Sequence, residues 1–212
     1  MFLLRLAGNV FLSLLDLAMG AFIVFVGSKV SEHDVSVYHY GIGALLAALP
    51  DLDVLYMFLR WGRVYGDHHQ YLTHRPIIGI SAALLIGMVL GGAFWAVTAC
   101  ACMLWHYIHD TKGLGGGGIA WLWPFSRLYY SLHGAENPEE SIMLRDHHQG
   151  LDSEILSPSP KSVIESLMTS ILLGIVGGSI WGIWAGFRIS AAVCFTVLAL
   201  WCLHARVGHR TK

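Results

Sequence analysis

Charge is scarce in this chain. Of its 212 residues only 13% are Asp, Glu, Lys or Arg, against about a quarter in an ordinary soluble domain, while 55% are hydrophobic and mean hydropathy is +0.59. That balance points to an integral membrane protein. Neither sign of charge dominates, the formal net charge being -1, so bulk electrostatics favour neither nucleic acid nor an acidic partner. Cysteine is also sparse. Cys100, Cys102, Cys194 and Cys202 fall in apolar segments and form no CxxC pair, which argues against a disulfide or zinc-ribbon framework and reads as small buried hydrophobes. The stretch TKGLGGGGIAWLWPFS, residues 111–126, has four consecutive glycines but no GxxxxGK[ST] pattern, so a P-loop is excluded and a linker or lid expected.

What the chain does have is long apolar runs. A membrane helix needs about 20 mostly apolar residues, and the runs predict spans over 6–27, 39–59, 76–91, 93–110, 163–186 and 188–205. The 76–110 block is too long for one span, and Gly91-Gly92 divides it. The first run resembles a signal peptide but is longer than a typical h-region and carries Asn9 and Asp16, so it reads as a retained span. The expected fold is therefore an all-α, six-span membrane helix bundle, one domain over 1–212, with a polar loop over 111–161 that ends in the Ser/Pro stretch LSPSPKS. With six spans, Arg5, Arg60, Arg63, Arg75, Lys112, Arg127, Arg145, Lys161, Arg206, Arg210 and Lys212 share one side, and only Lys29 and Arg188 the other. The positive-inside rule makes the first side, with both termini, cytoplasmic. Trp121 and Trp123 read as interfacial anchors.

Four polar clusters converge on that side. LPDLD places Asp51 and Asp53 inside an apolar span, where a carboxylate costs several kcal/mol unless paired or metal-bound (about 2.5–3.5 kcal/mol on insertion scales). Pro50 can kink the helix and let both acids turn toward one cavity; the bland alternative is a helix end with two solvated acids. GDHHQYLTHRP, residues 66–76, holds His69 and His74 five apart, a spacing for a turn or helix start, with His68 pointing elsewhere. WHYIHD puts His106 and Asp110 at i, i+4 on one helical face, as two ligands or a ligand and its orienting partner require, with His109 also near. Asp16 lies in the first span, either joining the site or bonding a neighbouring helix.

This His/Asp set, without cysteine, favours zinc, manganese or iron over a soft-ligand copper site and does not choose among them. It holds more candidate ligands than one tetrahedral zinc needs, which allows a two-metal site that activates water and neutralises charge on a phosphate or ester oxygen. The loop stretch HGAENPEESIMLRDHHQGLDSE adds His133, Glu136, Asp146, His147 and His148 as further candidates, with an ordinary surface loop as the alternative.

The order LPDLD, HQYLTH, HYIHD and then LWPF resembles the LexA-binding, inner-membrane-associated hydrolase family, whose pattern runs LPDxD, HRxxTH, HxxxD, then G and W/F-P-F. The matching positions are Asp51 and Asp53, His69 with Thr73 and His74, His106 with Asp110, and Trp123-Pro124-Phe125, over about residues 40 to 126. Gln70 stands where the family usually has Arg, Arg75 where Ser is common, and Asp16, or His39, where the family tends to place a first-helix histidine. The resemblance implies a bacterial inner-membrane, metal-dependent hydrolase. Asp51, Asp53, His69, His74, His106 and Asp110 would form its site, with Asp16 as a further metal-ligand candidate and zinc the leading cofactor. A lipid phosphoester or other membrane-proximal ester is the expected substrate class, and a metal transporter or a non-catalytic membrane protein the rival.

Overall fold

A computed structural model describes residues 14–61, 69, 71–111, 118–131, 134–136 and 159–208. The described chain is nearly all helix. Helix α1 spans Leu14–Ser31 and α2 Val37–Ala47; a 3-10 turn over Leu49–Asp51 leads into α3, Leu52–Trp61. A second 3-10 turn, Leu72–His74, precedes α4, Pro76–His109; the last two helices are α5, Pro160–Trp181, and α6, Ile183–Gly208. Between α4 and α5, strands β1 (Tyr129–Ser131) and β2 (Gly134–Glu136) pair antiparallel.

Four helical segments are long and apolar enough to cross a membrane: Leu14–Ser31, Gly91–His109, Pro160–Trp181 and Ile183–Leu203. A fifth span results if Val37–Ala47 and Leu49–Met57, bent by 59° at Pro50, count as one. The structure thus has the expected membrane helix bundle, but not six full spans, because Pro76–Val89 is a shorter apolar leg. The divide at Gly91-Gly92 is present. Gly92 takes φ 72 and ψ -164, a region open to glycine and closed to most side chains, and the chain folds back there so that Gly87 meets the backbone of Ala96.

The last break lies elsewhere than expected. It falls at Gly182, φ 90, so α5 ends at Trp181 and α6 begins at Ile183 rather than near residue 188. Arg188 sits inside α6, and the glycine supplies the backbone angle of the turn. Helix α5 also starts at Pro160, inside the stretch expected to be loop, where Ser159 caps it by accepting from the Ser162 amide.

Helix α1 is the hub, packing on α2, α4 and α5, while α5 and α6 form a hairpin. Gly20 of α1 and Gly43 of α2 allow close approach: a Cβ at Gly20 would collide with the Gly43 carbonyl. Small residues at crossings are the membrane solution to packing, because lipid offers no hydrophobic drive between helices. One buried cluster joins Leu15 and Ala18 to Leu172, with Trp105 against it; another joins Ala83, Ala99, Met103, Tyr107 and Ile119. These contacts bring the start of α1, the Pro50 bend, the end of α4 and the start of α5 to one end of the bundle.

Candidate metal centre

Four residues meet at that end. Asp51, His74, His106 and Asp110 each offer a ligand atom, all within 4.8 Å of one another. Asp110 Oδ2 lies 3.0 Å from His106 Nε2, 3.3 Å from His74 Nε2 and 3.4 Å from His69 Nε2, and Asp51 Oδ1 lies 3.6 Å from both His74 Nε2 and His106 Nε2. His69, His74 and His106 are buried. Local sequence explains each placement. Pro50 ends α2 in a 3-10 turn and turns Asp51 inward; Pro76 starts α4 immediately after the turn that carries His74; and helical i, i+4 spacing pairs His106 with Asp110, the C-cap of α4.

Asp53 and Asp16 occupy a different position. Asp53 Oδ2 approaches His74 from the other ring nitrogen, 3.2 Å from Nδ1, and accepts the Thr73 hydroxyl at 2.8 Å. Asp51 and Asp53, which point apart at i, i+2 in a regular helix, therefore grip one imidazole from its two sides. Asp16 Oδ2 faces His106 Nδ1 at 3.8 Å, while its Oδ1 accepts the Trp105 indole N–H at 2.9 Å. His109 turns away from the four-residue cluster: its Nδ1 lies 3.1 Å from Asp16 Oδ1 and its Nε2 3.5 Å from Glu165 Oε1. Trp105 and Glu165 were not among the sequence candidates. Glu165 carried the signal of a carboxylate in an apolar helix; the Trp105 contact spans 89 positions in sequence and had none.

Electrostatics bind the group together. Burial alone would raise the Asp110 carboxyl, but the His106 imidazole beside it, with His69 and His74, holds it well below the usual carboxylate range. Burial alone would lower the His74 imidazole, and the carboxylates of Asp110, Asp51 and Asp53 overcome that and hold it well above its ordinary value. In a protein without cation, protons thus neutralise the acids.

The residues fit a divalent cation. His106 Nε2 and Asp110 Oδ2 are fully buried and make no hydrogen bond of acceptable geometry among the described residues, and each such buried group costs about 1–3 kcal/mol if left unsatisfied. Tetrahedral zinc with ligands at about 2.0–2.1 Å sets ligand atoms about 3.3 Å apart; the four imidazole–carboxylate separations here run from 3.0 to 3.6 Å, and all four ligand atoms lie within 4.8 Å of one another. The set of two imidazoles and two carboxylates suits zinc, manganese or iron alike. Buried Cys102 contacts the Gly20 carbonyl and is not in the cluster.

A loop closes over the helix ends. The Gly118 amide donates to the Asp110 carbonyl, Ile119 bridges to Tyr130, and Arg75 donates to the Tyr129 hydroxyl at 2.9 Å. Trp121, half-buried, packs edge-on against Tyr107 and its N–H reaches Thr111 Oγ1. Phe125 of LWPF, by contrast, is 91% exposed. His68, His133, Asp146, His147, His148 and the glycines of 113–117 lie outside the described residues, as does the side chain of Glu136.

A model of the YdjM inner membrane protein family matches residues 14–207, nearly the whole chain and every residue of the cluster. The chain belongs to the YdjM inner membrane protein family. It is also similar to the inner membrane protein YbcI of Escherichia coli (strain K12), 33% identical over 93 residues, 40% of this chain and 52% of that protein. The chain thus spans about half the length of this curated relative. No solved structure matches. Membership and apolar helices together make this a multi-pass inner-membrane protein embedded in the lipid bilayer. Neither the family nor the relative is described by an activity.

Proposed function

We propose that this chain is a membrane-bound, metal-dependent hydrolase acting on a phosphoester or ester at the bilayer surface. The observation that carries the reading is the convergence of Asp51, His74, His106 and Asp110 from three separate segments onto one buried point. Those four would hold the cation, with His69 beside Asp110 as a further donor. A bound cation of this kind supplies a water of lowered pKa and neutralises charge developing on an ester or phosphate oxygen. The protein's own groups do the rest. Asp53 accepts from His74 Nδ1, which presents the Nε2 lone pair to the centre. Asp51, with 22% side-chain exposure the most accessible of the four, turns its Oδ1 to His74 and His106, and its other carboxylate oxygen would take the proton as general base. Leu52 and Leu72, half-exposed or more beside Asp51 and His74, favour a substrate with an apolar tail. The lysine and arginine bias of the sequence supports a cytoplasmic location for the site and for both termini.

A transport reading draws on one observation, the broken span at Pro50, since discontinuous helices line many transport sites. Elemental analysis of the detergent-purified chain beside His106→Ala tests the metal centre. Near-stoichiometric zinc, manganese or iron in the parent and its loss in the variant are expected; a parent that takes up no added metal would overturn the centre. Loaded protein in vesicles then separates the two activities, because a hydrolase releases product from lipid phosphoester without moving metal across the bilayer, and a transporter does the reverse.

A further inference from the structure

Asp16 is a carboxylate buried at 2% exposure within an apolar helix, where an unpaired acid is costly. Three groups on α4 face it: the Trp105 indole N–H, His109 Nδ1 and His106 Nδ1. Trp105 and His109 stand at i, i+4 with rings stacked at 5.9 Å, so they hold the carboxylate from one side as a unit. His109 then reaches on to Glu165 of α5, whose carboxylate also lies 3.9 Å from Lys161 Nζ. The chain of contacts runs from the cluster through α1 to the start of α5.

His106 Nδ1 is buried and has no hydrogen bond among the described residues. Asp16 Oδ2, at 3.8 Å, is an ion-pair neighbour of that nitrogen, and closing the pair to a hydrogen bond takes about an ångström of side-chain movement. A ligating histidine needs its second nitrogen anchored by an acceptor of this kind, which fixes tautomer and ring orientation. His74 has Asp53 in that role. We infer that Asp16 is the positioning carboxylate of His106, clamped by Trp105 and His109 and braced through His109 by Glu165, so that α1 and α5 set metal affinity without supplying a ligand. This rests on the metal-centre reading and adds to it four residues outside the ligand set, Asp16, Trp105, His109 and Glu165.

The test is Co2+ titration of the full chain in detergent, following both affinity and the visible absorption of bound cobalt, for the parent, Asp16→Asn, Glu165→Gln and the double variant. Asp16→Asn is expected to weaken binding about 10- to 100-fold and to shift the cobalt absorption as the His106 ring turns. Glu165→Gln is expected to give a smaller loss in the same direction, and the double variant no more loss than Asp16→Asn alone. Parent affinity and an unshifted spectrum in Asp16→Asn would overturn the inference while leaving the metal centre standing. A parent that binds no cobalt overturns both. Should Asp16→Asn fail to elute as folded protein, Glu165→Gln decides, and unchanged affinity and spectrum there overturn the brace.

Discussion

His74 has a carboxylate at each ring nitrogen, Asp53 at Nδ1 and both Asp51 and Asp110 at Nε2. The two sides call for different losses on mutation. Asp53→Asn should weaken metal binding about 10- to 100-fold with the ligand set intact, whereas Asp110→Ala, which removes an oxygen within 3.4 Å of the Nε2 atoms of three histidines, should abolish stoichiometric binding; competition with a chelator of known affinity separates the two. Protons compete for the same atoms. Because the His74 imidazole is held well above its ordinary value, it carries a proton at neutral pH in the metal-free protein, so each cation taken up displaces protons and apparent affinity should fall as pH is lowered. Calorimetry in buffers of different ionisation enthalpy would show the proton release. An affinity flat from pH 6 to 8 would sink that account. At this scale the sequence was informative about residue type and much less about role. LPDLD and HxxxD marked the acids and imidazoles, yet spacing alone gave Asp51 and Asp53 the same standing, and only the Pro50 turn separates an acid inside the cluster from one behind it.

Among the elements, backbone angle decides the breaks. Gly92 and Gly182 both sit at positive φ, and a Gly92→Val substitution should cost about 1–3 kcal/mol by forcing a branched side chain into that region, seen as a lower unfolding midpoint in detergent. Gly43→Leu should be worse placed still, because its Cβ would meet the Val24 side chain and the Gly20 carbonyl; overpacking of this kind typically costs about 1–3 kcal/mol and should loosen α1 from α2. The Gly91-Gly92 fold-back was readable because the apolar block was too long for one span. Gly182 was not, since Gly177, Gly178, Gly182 and Gly186 crowd one stretch and nothing local says which of them turns the chain.

For the molecule as a whole, composition was enough to predict a membrane helix bundle, since so few charges in 212 residues leave no other way to cover the apolar surface. What remained hidden was long-range pairing. Asp16, His109 and Glu165 come from helices far apart in sequence, and their meeting depends on how α1 seats between α4 and α5. Orientation belongs to this scale too. Reporter fusions at the two ends of the chain should both read cytoplasmic, following the Lys and Arg bias; opposite readings would put the cluster on the other face of the membrane.

The leg Pro76–Val89 leaves the cluster directly, its first residue two after His74. At 1.5 Å per residue it measures about 21 Å, against a hydrocarbon layer of about 30 Å. Such hydrophobic mismatch is relieved by thinning the bilayer locally. Thinning of that kind would draw the water boundary inward beside this leg and, on the proposed function, bring lipid head groups toward Asp51 and His74 without the lipid leaving its leaflet. On that function bilayer thickness itself would become a determinant of access, and short-chain lipids, which match the leg, would hold their head groups nearest the four convergent side chains.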